Sequence, residues 1–202
     1  MIARGLTLVV ALMASPVAAQ DLPAHYATTG VAANDTLNIR SAPDASSDII
    51  GAYGPYALNI EVIRLSDDGK WGLVGIGESN GWVAMRFLAP SNHQAPNTFP
   101  RPMSCSGTEP FWTLNVTPRG DEYHALGDVR RDLVMIREST APNGAIAVFE
   151  EGPTLNRTLI VQKGVCGDGM SDREFGWKAT LFNEAPDGNA VQSGCCTLDA
   201  HF

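Results

Sequence analysis

The sequence has few basic residues and, beyond its first twenty positions, no long apolar run. It carries 14 Lys and Arg against 22 Asp and Glu, a formal net charge of −8 over 202 residues. A surface of this sign repels phosphate backbones, so the composition argues against a nucleic-acid partner. It also disfavours simple docking on anionic lipid.

The one apolar run of note lies at the start, where it has the features of a secretion signal. Arg4 precedes the apolar stretch 6–14, and the small residues Val17, Ala18 and Ala19 follow. This order predicts a signal peptide over residues 1–19 and a mature chain that begins at Gln20 or Asp21. Since no later run approaches the ~20 residues that a spanning helix needs, we expect no transmembrane segment in the mature chain and a periplasmic or secreted location.

Cysteine is absent from the first 104 residues and occurs four times afterwards, at Cys105, Cys166, Cys195 and Cys196. An even number in an exported chain predicts two disulfides. Adjacent Cα atoms lie about 3.8 Å apart, which is short for a disulfide, so we expect no bond between Cys195 and Cys196. Each should instead bond to Cys105 or Cys166, and the sequence leaves open which goes with which.

Patterns of metal or nucleophilic chemistry are scarce. The chain has no C-x-x-C and no H-E-x-x-H, and cysteines committed to disulfides supply neither a zinc site nor a thiolate nucleophile. The run from Asp168 to Asp172 resembles part of a calcium loop but lacks the further acidic ligands. We therefore expect no metal, no cofactor and no catalytic residue, and a protein that is not an enzyme.

The pattern of short apolar runs between turns predicts a mainly β protein with two domains. The first, residues 26–90, has the spacing of a small β-barrel. Residues 91–103 are rich in proline and predict a semi-rigid linker. Residues 104–202 predict a disulfide-stapled antiparallel β-barrel or sandwich.

The first domain also carries family motifs. They are Leu37–Pro43, Lys70–Trp71, Gly81–Val83 and Arg86–Leu88. In this order and spacing they resemble a bacterial SH3-like domain, although Ala42 stands where that family usually has Gly. The resemblance implies a small barrel that tethers or targets an exported protein, often at the cell wall. Tyr56 and Trp82 are the aromatic residues that we expect to line its recognition surface, whereas Trp71 is interpreted as a core residue.

The second half resembles an uncharacterised family of bacterial envelope domains. Three motifs carry the resemblance, namely Cys105–Trp112, Cys166–Arg173 and Gly194–Cys196. The resemblance implies a β fold and an exported location, and it brings no established activity.

Acidic residues of these motifs form the strongest candidate site. Disulfides between the motifs would bring Glu109 towards Asp168 or Asp172, beside Trp112. Glycosidases use such a pair of carboxylates for catalysis. The alternative is that Asp168 and Asp172 build a tight turn and that Glu109 pairs with Arg173. We favour a polar ligand pocket formed by these residues over a catalytic pair.

The sequence as a whole indicates an exported, non-enzymatic binding or targeting protein of the bacterial cell envelope. The SH3-like module would recognise a cell-wall peptide or an envelope protein. The alternative is a hydrolase or a hydrolase inhibitor that acts on the cell wall, with the C-terminal domain active and the SH3-like domain targeting it.

Overall fold

The computed structural model describes residues 21–91, 97–125, 127, 131–186 and 188–198. The predicted signal peptide, residues 1–19, lies outside the described residues. Sixteen β-strands and one short 3-10 turn, Met85–Phe87, are described. The prediction of a mainly β chain is therefore confirmed. None of the described helical segments is long and apolar enough to cross a membrane.

The N-terminal half contains eight short strands. They are β1 (Ala24–Thr28), β2 (Leu37–Arg40), β3 (Ile49–Tyr53), β4 (Ile60–Val62), β5 (Arg64–Leu65), β6 (Trp71–Ile76), β7 (Ser79–Ala84) and β8 (Leu88–Pro90). They form a sheet in the order β4–β1–β8 and a second one in the order β3–β2–β7–β6–β5. Leu37 and Ile39 alternate with more exposed neighbours and pack in one core with Tyr26 and Val83. That alternation is the two-residue period of a half-buried strand.

The C-terminal half is a closed antiparallel barrel of eight strands. They are β9 (Met103–Thr108), β10 (Phe111–Thr117), β11 (Gly120–Ala125), β12 (Arg131–Ala141), β13 (Gly144–Glu151), β14 (Leu155–Gly167), β15 (Glu174–Ala185) and β16 (Gly188–Thr197). Each strand pairs with the next along the chain, and β9 closes the barrel between β10 and β16. Inward side chains such as Leu114, Phe149 and Leu181 fill its interior. The sequence predicted a barrel or a sandwich, and the structure shows a barrel.

The predicted linker is not wholly a linker. Phe99 and Met103 are fully buried members of the barrel core, and Met103 begins β9. The backbone N–H of Phe99 donates a hydrogen bond to the Glu138 carboxylate. The sequence did not predict that Phe99 and Met103 are buried, because they stand among prolines. Proline disfavours a sheet, so the segment 91–103 was interpreted as a linker.

Two disulfides link Cys105 to Cys196 and Cys166 to Cys195, so the expectation that Cys195 and Cys196 do not bond to each other is confirmed. Cys105 and Cys196 lie directly opposite each other where β9 meets β16. Neighbouring residues of a strand point to opposite faces, so Cys195 reaches a different partner from Cys196. Two disulfides fit a protein outside the cytoplasm.

The two halves pack directly against each other. Asn80 of β7 hydrogen-bonds to the backbone of Glu174 on β15, and the Thr197 hydroxyl donates to the buried Glu61 carboxylate. A Cβ atom at Gly176 would overlap the Pro23 ring, so the absence of a side chain there permits the close approach. The contact between the halves positions the candidate site.

Candidate functional site

The connection between β14 and β15 is a tight loop organised by Asp168. Its carboxylate accepts hydrogen bonds from the backbone N–H groups of Met170, at 3.0 Å, and Ser171, at 2.9 Å. The Ser171 hydroxyl lies within hydrogen-bond distance of both carboxylate oxygens. The backbone hydrogen bond from Ser171 is the main cause that lowers the pKa of Asp168. Asp168 therefore builds the turn, as the alternative interpretation of the sequence expected.

Arg173 ends the same loop and inserts into the N-terminal half. Its guanidinium donates to the Gly77 carbonyl oxygen at 3.4 Å and to the Thr197 hydroxyl at 3.2 Å. It also packs over the Phe175 ring, with 4.8 Å between Cζ and the ring centroid. A Cβ atom at Gly75 of β6 would overlap the guanidinium. The predicted pair between Glu109 and Arg173 is wrong, because Arg173 turns towards the N-terminal half.

Glu174 follows Arg173 and completes this junction. Asn80 accepts a hydrogen bond from the Glu174 N–H at 2.6 Å and donates one to its carbonyl oxygen at 3.0 Å. The Glu174 carboxylate forms an ion pair with Arg64, at 2.6 Å, and the Arg64 guanidinium lies 5.1 Å from the Trp82 ring centroid. The motif Cys166–Arg173 and the residue after it thus join the two halves.

Beside this junction lies a cleft of about 390 Å³, which we call the junction cleft. The N-terminal half contributes the turn Gly77–Glu78, and the barrel contributes apolar and polar side chains. The lining includes Thr108, Phe111, Trp112, His124, Asp168, Met170, Ser171, Arg173 and Phe175. Its volume falls within the range of about 300–1,000 Å³ that is usual for ligand pockets. The cleft is the place where predicted residues from two motifs and both halves meet.

Trp112 borders this cleft, but its ring belongs to the barrel core. It is 2% exposed and is a member of the barrel's interior cluster. A Cβ atom at Gly107 would overlap the indole nitrogen, and one at Gly194 would lie 2.8 Å from Cζ2 of the same ring. Two glycines therefore leave the space that the indole fills, and Trp112, which we expected beside a ligand pocket, borders the cleft as a residue of the barrel core.

Two of the three acidic candidates line one hollow, and the third lies apart. Glu109 and Asp168 both line a second hollow of about 410 Å³, next to Cys166 and Cys195, and this hollow shares lining residues with the junction cleft, Thr108 and Asp168 among them. Asp172 is exposed and is not among the lining residues of the cleft or of the hollow. Of the two acidic partners that we expected near Glu109, Asp168 lines the same hollow and Asp172 does not.

The two aromatic candidates of the N-terminal half lie elsewhere. Tyr56 is 77% exposed in the turn after β3. Trp82 is half-buried on β7, beneath the Arg64 guanidinium. Neither is part of the junction cleft. Their role in recognition stays a prediction.

A serine motif also occurs next to the cleft. Residues 77–81 spell G-x-S-x-G, the pattern of a serine nucleophile on a turn between a strand and a helix. Here the turn joins two strands of a hairpin, β6 and β7, and Ser79 lies at the start of β7. The Ser79 hydroxyl donates to the carbonyl oxygen of Ile76 at 3.4 Å. The strand-to-helix geometry that activates such a serine is therefore missing from this hairpin.

Several cleft residues carried little signal in the sequence. Phe111, His124 and Met170 face the cleft from separate elements, and only the fold brings them together. Phe111 and Met170 lie within two of the three cysteine-containing motifs, so the sequence pointed to their neighbours but not to these residues themselves. Within the described residues, no group of three His, Cys, Asp or Glu side chains could hold a metal ion.

No protein-family model, curated protein or solved structure matches this chain. The site must therefore be interpreted from its own geometry.

Proposed function

We propose that the protein is a non-enzymatic recognition protein of the bacterial cell envelope that binds a peptide in the junction cleft. The ligand is a peptide of the cell wall or a segment of an envelope protein. The cleft itself supports this best, because Phe111, Met170 and Phe175 supply apolar surface next to Thr108, Ser171 and His124. Apolar walls with a few hydrogen-bonding groups are the usual composition of a ligand site.

The N-terminal half is, on this proposal, the SH3-like module that the sequence resembles. Two small sheets around one apolar core support that interpretation. The half contributes the Gly77–Glu78 turn to the cleft and holds it against the barrel through Asn80 and Arg64. Recognition then belongs to the junction of the halves and not to a separate module.

Co-sedimentation of the full mature chain with purified sacculi tests the proposal, with a pull-down from envelope extract as a second arm. Met170 is exposed at the cleft, so Met170→Glu places a charge on its apolar wall and should weaken binding about tenfold or more. Val134→Ala removes an equally exposed apolar side chain outside the cleft and should leave binding unchanged.

The two arms and the variants distinguish the outcomes. Binding to sacculi identifies a cell-wall ligand, and specific binding in the extract that is lost in Met170→Glu identifies an envelope protein. If Tyr56→Ala or Trp82→Ala abolishes binding while Met170→Glu does not, the site lies on the N-terminal half and the cleft assignment is wrong. No binding in either arm rejects the proposal.

The second candidate function is hydrolysis of the cell wall, or inhibition of a hydrolase, by the barrel. The observation in its favour is that Glu109 and Asp168 line one hollow. Against it, the Asp168 carboxylate already accepts hydrogen bonds from the backbone N–H groups of Ser171 and Met170. These bonds lower the pKa of Asp168, whereas a general acid needs a raised pKa to keep its proton. Loss of turbidity in a sacculus suspension, abolished by Glu109→Gln, would establish the hydrolase and overturn the non-enzymatic proposal.

A further inference from the structure

A second site, which we call the barrel-mouth cavity, lies away from the junction cleft, at one mouth of the barrel. It has a volume of about 650 Å³ and is lined on the barrel side by Thr140, Ala145, Lys163, Trp177 and Leu198. Ala145, Trp177 and Leu198 also belong to the buried interior cluster, so the cavity opens directly onto the barrel core. The mouth of a β-barrel is one of the places where small-molecule sites recur.

The N-terminal half covers this mouth. Strands β1 and β8 contribute His25, Tyr26 and Pro90 to the lining, and Ser91 follows β8. The His25 side chain donates to the Leu198 carbonyl oxygen at 2.9 Å, which fixes the cover against the barrel. The cavity therefore lies between the two halves and takes its walls from both.

Two buried polar atoms of the lining lack partners. Trp177 is 4% exposed, and its indole Nε1 has no hydrogen-bond partner within the described ranges. The Ser91 hydroxyl is likewise buried and unpartnered there. Buried polar groups are nearly always hydrogen-bonded, and an orphaned one marks a place where a partner fits. An indole N–H can only donate, so its partner must bring an acceptor.

Lys163 adds a positive charge to the same cavity. Its side chain is 17% exposed, and its Nζ lies 5.6 Å from the Trp177 ring centroid. It pairs at 2.7 Å with the carboxylate of Asp21, whose side chain is 76% exposed. Asp21 is an early residue of the predicted mature chain, and a largely exposed carboxylate is readily displaced because water and salt screen its attraction.

We propose that the barrel-mouth cavity binds a small organic carboxylate. The carboxylate would accept hydrogen bonds from the Trp177 N–H and the Ser91 hydroxyl and would replace Asp21 as the partner of Lys163. Pro90, Ala145 and Leu198 give its organic body an apolar environment. This inference does not depend on the junction cleft, which has a separate lining.

The test uses the 15N-labelled full mature chain and a series of straight-chain carboxylates from acetate to octanoate, with benzoate, the matched primary amides and inorganic phosphate. The readout is the set of indole N–H resonances from the four tryptophans. Trp177→Phe assigns its own resonance. We expect the longer carboxylates to shift the Trp177 resonance saturably, and the amides and phosphate to leave it in place.

Variants then identify the groups responsible. Lys163→Met should weaken octanoate binding about tenfold or more, and Lys163→Arg should retain it. Asp21→Asn removes the competing carboxylate and should tighten binding a few-fold. The control is Lys178→Met, because Lys178 is exposed on β15 and lies outside the cavity lining. An unchanged Trp112 resonance in each variant shows that the barrel core is intact.

Three results would overturn the inference. The first is the absence of any Trp177 shift across the whole carboxylate series. The second is an equal shift with octanoate and octanamide, which would mean that the charge is not recognised. The third is unchanged affinity in Lys163→Met together with unchanged affinity in Asp21→Asn.

Discussion

At the scale of single residues, glycines and one aspartate decide the local form of the candidate site. Gly107 and Gly194 leave space for the Trp112 indole, and Gly75 leaves space for the Arg173 guanidinium. Asp168 holds the loop between β14 and β15 by accepting hydrogen bonds from Met170 and Ser171. At each of these positions the residue type meets a need of its immediate surroundings. The glycines leave space for a neighbouring side chain, and the aspartate accepts the hydrogen bonds of the loop.

Gly107→Ala should destabilise the barrel by about 1–3 kcal/mol, because overpacking a close-packed core forces neighbours out of place. Its Cβ would overlap both the Trp112 indole and the Ser193 carbonyl oxygen, and a backbone atom cannot swing away. The matched control is Gly167→Ala, since a Cβ there meets nothing within 4 Å. Urea unfolding of both variants measures the difference, and equal midpoints would contradict the packing argument.

The loop held by Asp168 should open in acid. Its pKa is lowered in the folded protein, so its stabilising effect is present above the ordinary value of about 3.9 and is lost as the pH falls through the lower folded value. The backbone N–H resonance of Ser171, followed by NMR, should titrate in that range, and Asp168→Asn should remove the titration. A Ser171 resonance that does not respond to pH would contradict this role.

At the scale of elements, the two disulfides connect different parts of the barrel. Cys105–Cys196 joins β9 to β16, where the barrel closes, and links residues 91 positions apart. Cys166–Cys195 joins the end of β14 to β16 across 29 positions. The first bond therefore restricts the unfolded chain more than the second.

Replacing Cys105 and Cys196 together by Ser should lower the free energy of unfolding by about 5 kcal/mol in the chain-entropy model, and the same change at Cys166 and Cys195 by about 4 kcal/mol. The larger effect follows from the longer loop that the first bond closes. Urea unfolding of the two double variants measures both values. If the variant that lacks Cys166 and Cys195 loses more free energy of unfolding, the length of the closed loop does not decide the contribution of each disulfide. Contacts at the β14–β15 loop would then be the larger effect.

At the scale of the whole molecule, the two halves form a packed pair. The junction uses the Asn80–Glu174 hydrogen bonds, the Arg64–Glu174 ion pair and the buried contact between Thr197 and Glu61. The barrel-mouth cavity and the junction cleft both take lining residues from each half. Any ligand of either site therefore stabilises the junction.

We expect both halves to unfold in one transition, because a core as small as that of the N-terminal half is marginal without its packing partner. Tryptophan fluorescence reports on both, since Trp71 and Trp82 lie in one half and Trp112 and Trp177 in the other. Asn80→Ala removes two hydrogen bonds of the junction and should separate the transition into two. Two transitions in the unaltered protein would contradict this coupling.

The sequence by itself determined the β class, the exclusion of a bond between Cys195 and Cys196, and a tight turn in the segment 168–172. These follow from local rules, namely two-residue alternation, the short distance between neighbouring Cα atoms and the turn preference of Asp and Gly. Asp168 as the turn-forming residue was foreseen for the same reason, since its partners lie two and three residues away.

The tertiary structure alone decided where the motif residues point and what surrounds them. Arg173 reaches Gly77 across 96 positions, and Trp177, Lys163 and Ser91 meet at a cavity although they lie on separate strands or beside them. Phe99 and Met103 enter the barrel core from a proline-rich segment. Such contacts depend on strand register and barrel closure, which join residues that no local pattern relates, so only the folded chain could reveal them.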